Sequence, residues 1–183
     1  MTKGFETLEE YQALPDDEKI DLQAVNAVLD GLPFSQLKGI LSDFAPFPKL
    51  RCDRWLKALE KALDRKIVLQ MTEEEIIPYM REDGVLCFCK KDLHRKEKLF
   101  MLLAHESAHF ILMGDEGYHR LKKVDSAYRA RPDRECNMHS PIEECANLIT
   151  LLILDRCKRC EKRKKTQKIL EKCIISLEKQ LTK

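Results

Sequence analysis

Apolar residues along this chain fall into a few clear periodicities. Trp55, Leu56, Leu59, Ala62 and Leu63 recur at helical spacing and mark an amphipathic helix. Residues 6–14 and 16–30 carry similar patterns, and Pro15 followed by Asp16, Asp17 and Glu18 resembles a helix start with acids near its positive end. Gly31 and Pro33 stop that pattern, and Ala45-Pro46-Phe47-Pro48 breaks the chain again. The runs at residues 67–71 and 85–89 read as strands, the second preceded by turn chemistry at Glu82-Asp83-Gly84. With Ile76-Ile77-Pro78-Tyr79 as a third strand, they predict a small antiparallel sheet.

A different pattern follows. From about Lys96 to just before Gly114 the chain reads as a helix that is apolar on nearly every side, from Leu99 to Ala104 and again from Phe110 to Met113. Such a helix belongs in the core. Ser140-Pro141 then opens a second apolar helix through Leu154, with Ser140 suited to the N-cap and Pro141 to the first turn. The predicted class is α+β, mostly helical with about three strands and a further amphipathic helix at the C-terminal end. The pattern divides into an N-terminal helical segment over 1–50, a core over 51–155 and a basic helix over 156–183.

Composition adds little beyond a frame. The 183 residues suit one domain, and 44% hydrophobic with 35% charged residues describe a soluble, charge-rich protein. A net charge of +2 gives no global field for nucleic acid, and no apolar run approaches the ~20 residues that span a bilayer. The first residues turn acidic at once and lack the apolar stretch of a signal peptide, which points to the cytoplasm.

The chemistry lies inside the buried helix. His105-Glu106-Ser107-Ala108-His109 places two imidazoles four residues apart, on one helix face, with a carboxylate beside them. Neutral imidazoles bind Zn²⁺ well, and Glu106 is placed to act as a general base on a water at the metal. Three polar groups within a core helix are costly unless something satisfies them, which favours a metal over two histidines bonded to backbone. A third ligand is then required. Downstream, Glu143, Ala146 and Asn147 share one face, and the small Ala146 allows close approach to the first helix.

An H-E-x-x-H helix after a short hairpin, followed by E-x-x-A-N opening a further helix, resembles the ImmA/IrrE family of metallopeptidases, over roughly residues 50 to 155. The resemblance implies a minimal zincin-like core, His105, His109 and Glu143 as zinc ligands, and Glu106 as catalytic base. It also implies a protein substrate, a helix-turn-helix repressor of a mobile element or stress circuit, which the peptidase cleaves or otherwise disables. Two departures stand out: Ala108 where the family usually has glycine, and residues 148–155 without the family's usual Leu-Leu-Met-Pro ending. Glu143 also fits a capping box with Ser140, in which case Glu144 becomes the natural ligand. Asp115, Glu116 and His139 are poorer alternatives.

Several roles stay open on this reading. Tyr118, His119, Tyr128 or His139, between the two ligand helices, could stabilise an oxyanion. Residues 85–89 could accept a substrate strand, or could lie inside the sheet. A non-catalytic regulator that keeps the fold and binds the repressor without cutting it is the alternative function. The eight cysteines read as free thiols, although Cys157-x-x-Cys160 could form half of a structural zinc site with Cys87 and Cys89, or with Cys136 and His139. The basic run from Arg156 to Lys168 continues into Ile169, Leu170, Cys173, Ile174, Leu177 and Leu181 at helical spacing. It reads as a solvated helix packed on the domain or on a second copy, or as a docking arm for an acidic partner or for DNA near a bound repressor. No aromatic residues interleave the run, which argues against base stacking and direct nucleic-acid binding.

Overall fold

The computed structural model describes residues 13, 19–42, 48–81, 83–130 and 140–182. Seven α-helices among these residues pack around one three-stranded sheet, in agreement with the α+β reading. The expected helix over 6–14, apart from Ala13, and the Pro15–Glu18 start lie outside the described residues. The next helix, α1 (Leu22–Asp30), begins later than residue 16. Asp21 is its N-cap, accepting from the amides of Gln23 at 2.9 Å and Ala24 at 3.1 Å, and this sets the start. After Pro33, α2 (Phe34–Lys38) and a 3-10 turn over Gly39–Leu41 form an element that the periodicity did not single out. They exist to bury Phe34, Leu37, Ile40 and Leu41.

Helix α3 (Pro48–Leu63) carries the expected stripe, with Cys52, Trp55, Leu56 and Leu59 turned inward. The strands are β1 (Val68–Thr72), β2 (Tyr79–Met80) and β3 (Val85–Cys89), in the order β1-β3-β2. The expected sheet is thus found, with two corrections. Of residues 76–79 only Tyr79 belongs to the third strand. β3 pairs with β2 antiparallel but with β1 parallel, so the sheet is mixed. The chain crosses from β1 to the far edge before returning through the β2–β3 hairpin. That hairpin turns at Gly84, whose φ of +86° suits glycine and where a Cβ would stand 2.1 Å from the Lys66 carbonyl oxygen. β3 is the central strand, and its Leu86, Cys87, Phe88 and Cys89 are all buried. Its unalternating run of apolar residues is what burial on both faces demands.

The 3-10 turn Lys90–His94 leads into α4 (Lys96–Met113), with the limits that the sequence predicts. Helix α5 (Tyr118–Arg129) follows, then α6 (Pro141–Arg159) and α7 (Lys164–Leu181), so the second apolar helix runs past the expected Leu154 and the basic stretch from 156 is divided between α6 and α7. Helices α4 and α6 pack closely against each other, with Ala108 and Ala146 fully buried. Helix α7 packs along α6 and contributes Leu170 and Leu177 to the same core. Glu161 holds the α6–α7 turn, accepting from the Lys162 amide at 2.9 Å and the Arg163 amide at 2.8 Å. Among the described residues no helix is long and apolar enough to cross a membrane.

Candidate metal centre

The site is built on α4 and closed by α6. His105 and His109, one turn apart, bring their Nε2 atoms to 3.1 Å, with the rings at 86°. Ser140 caps α6, its Oγ accepting from the Glu143 amide at 3.4 Å, and Pro141 begins the first turn. That start places Glu143 opposite the histidines: its Oε2 lies 3.1 Å from Nε2 of His105 and 3.4 Å from Nε2 of His109. The Glu143 carboxylate therefore faces the imidazoles, and Glu143 rather than Glu144 joins the convergent group. One half of the capping box, the Ser140 bond, is present.

These separations test the fit to a metal. Two ligand bonds of about 2.0–2.1 Å at the tetrahedral angle place the ligand atoms roughly 3.3 Å apart. The three observed distances bracket that value, and the donor set of two imidazoles and one carboxylate suits zinc chemistry. His105, His109 and Glu143 can hold a metal ion, and they are the one such His/Cys/Asp/Glu group among the described residues. Their side chains retain 24%, 12% and 25% exposure, which leaves an approach from solvent.

Without a metal, the same atoms satisfy one another through a proton. Burial opposes charge on His105, but its bond to Glu143 and the Glu106 and Glu143 carboxylates outweigh burial and raise its pKa. Burial pushes Glu143 upward, yet its bonds to both histidines hold it well below the usual carboxylate range. Asn147, one turn after Glu143, adds a smaller upward push on the His105 pKa. Glu106 is 5% exposed and behaves in the opposite way to Glu143: burial raises its pKa, against the pull of His109 and His105.

Neighbours that sequence reasoning passed over brace these groups. Ser107, fully buried between the histidines, donates to the Leu103 carbonyl at 2.5 Å and accepts from Trp55 Nε1 at 2.8 Å. This bond ties α3 to the motif. Asp125 on α5 is 4% exposed; it accepts from the Ile142 amide at 3.0 Å and from Arg129 Nε at 2.6 Å. The i,i+4 spacing of Asp125 and Arg129 was the available signal.

The remaining candidates are placed as follows. Tyr118, His119 and Tyr128 lie on α5, with His119 exposed and Tyr128 buried. Asp115 accepts from the nearby Gly117 amide and from the distant Asp21 amide, and Glu116 is exposed beyond α4. Cys157 is buried and Cys160 exposed; all seven described cysteines are free, and none joins a metal-holding group among the described residues. Cys136 and His139 lie outside the described residues. Residues 85–89 are the central strand, so they offer no free edge for strand addition. β1 pairs with all five of them on one side, and on the other β2 pairs with Leu86 and Cys87 while the Arg81 amide donates to the Val85 carbonyl. No protein-family model, curated protein or solved structure matches this chain in the comparisons made.

Proposed function

We propose that this chain is a zinc-dependent endopeptidase of ImmA/IrrE type, acting on a protein partner that is a helix-turn-helix repressor. The observation that carries the reading is the convergence of His105, His109 and Glu143 within 3.4 Å, with buried Glu106 next to them on the same helix. The resemblance of the H-E-x-x-H and E-x-x-A-N segments supports the family and the partner. A zinc ion held by the three ligands would supply a Lewis acid that polarises a scissile carbonyl and acidifies a water near neutral pH.

The chain's own residues account for the rest. Glu106, its proton affinity raised by burial, accepts a proton from the attacking water and returns it to the leaving amine. The substrate edge is reassigned from β3 to β2, an outer strand that packs against α4. An extended segment adding there would gain main-chain hydrogen bonds alongside the motif helix.

Glu106→Gln is the discriminating variant, assayed with a candidate repressor for zinc content and cleavage together. Zinc retained with cleavage abolished is the expected result. An unchanged biological effect of the variant would overturn the peptidase reading in favour of binding without cleavage.

A further inference from the structure

The two oxygens of the Glu143 carboxylate are used differently. Oε2 faces His105 and His109, whereas Oε1 lies 3.6 Å from Nη2 of Arg129. Arg129 is itself fixed. Its Nε donates to Asp125 at 2.6 Å, and its Nη2 donates to Ser140 Oγ at 3.2 Å. Asp125 is anchored in turn by the Ile142 amide at 3.0 Å, one of the free donors at the start of α6. The chain of charges runs from Asp125 through Arg129 to Glu143. It spans α5 and α6, and Asp125 at 4% exposure is shielded from solvent competition.

We infer that Arg129 is a positioning residue that holds Oε1 of Glu143 away from the ion, making Glu143 a one-oxygen ligand and keeping a coordination position open. The inference rests on the metal reading of the same site. Its physical basis is that a carboxylate can bind an ion through one oxygen or both. A guanidinium paired with the outer oxygen opposes the second mode, which would fill the position that water and substrate need. Arg129 bonds the Asp125 carboxylate and the Ser140 hydroxyl while its charge stands 3.6 Å from Glu143, so its fork cannot be reproduced by a point charge.

The test titrates Co²⁺ and Zn²⁺ into the metal-free protein, wild type, Arg129→Ala and Arg129→Lys. It follows the cobalt visible band and zinc affinity against a chelator, with circular dichroism and melting of each metal-free form. Wild type should bind one ion with the intense band of four-coordinate cobalt. Arg129→Ala should show the weaker band of higher coordination and a zinc affinity lower by about 10- to 100-fold. Arg129→Lys should fall between them. An Arg129→Ala protein that melts earlier but keeps the wild-type band and affinity would reduce Arg129 to a structural anchor and overturn the inference, with the metal site intact. If Arg129→Ala does not fold, a folded Arg129→Lys with the wild-type band and affinity overturns it equally. Wild type that takes up no metal removes both the site and the inference.

Discussion

The Trp55–Ser107 bond is the point at which a distant helix fixes the motif, and its removal has a calculable cost. Both residues are fully buried, and the indole N–H reaches Ser107 Oγ at 2.8 Å. Ser107→Ala leaves that N–H buried without its acceptor, a penalty of about 1–3 kcal/mol. For a domain of this size each kcal/mol lowers the melting temperature by about 2–4 °C, so a loss near the middle of that range lowers it by about 4–8 °C. Trp55→Phe costs a similar amount through lost volume, but it does not orphan Ser107, whose hydroxyl still donates to Leu103 at 2.5 Å. Once the indole is gone, Ser107→Ala should therefore cost little more. A double-mutant cycle by urea unfolding of the metal-free protein should give a coupling energy of about 1 kcal/mol or more, the double variant being more stable than the sum of the singles implies. Additivity within about 0.3–0.5 kcal/mol would refute the bond as a brace of the motif.

Three other outcomes follow from the same residues. Because burial raises Glu106 in the folded state, it contributes stability that is fully present below its ordinary value of 4.5 and is lost as pH rises through its folded value. Metal-free Glu106→Gln should thus melt above wild type at pH 7, with the gap closing below pH 4; a gap independent of pH contradicts the assignment. His105 is raised above 6.5, so an incoming metal must displace a proton from it. Zinc affinity should then begin to fall at a pH above 6.5 as the solution is acidified, with proton release seen by calorimetry in buffers of differing ionisation enthalpy. Leu170→Ala, fully buried on α7, should cost about 2–5 kcal/mol, whereas Lys168→Glu on its exposed side should stay within about 0.5 kcal/mol, both read by chemical denaturation.

The motif helix was legible because its signals are local. Gly114 after an apolar run set the end of α4, and Ser140-Pro141 set the start of α6. The i,i+4 spacing of His105 and His109 alone places their rings together. Glu143 was ambiguous for an equally local reason, since Ser140-x-x-Glu143 satisfies a capping box as well as a ligand position. Packing of α6 on α4, with Ala146 and Ala108 both buried, decides for the histidines. Strand pairing was not legible: alternation reports which faces are buried, not which neighbour a strand takes, so the parallel β1–β3 register escaped. The run Val85–Cys89 did carry a sign of central position, in that it never alternates. Trp55 with Ser107 and Asp125 with Ile142 were hidden because their partners are 52 and 17 residues apart and meet only in the folded packing.

His105, His109 and Glu143 are expected to form one zinc site. Zinc per chain, measured by elemental mass spectrometry after dialysis at neutral pH, addresses it directly. Wild type and Glu106→Gln should each hold one zinc, and His105→Ala and Glu143→Ala should each lose it. Zinc held at full occupancy by His105→Ala would show that these three residues do not form the site.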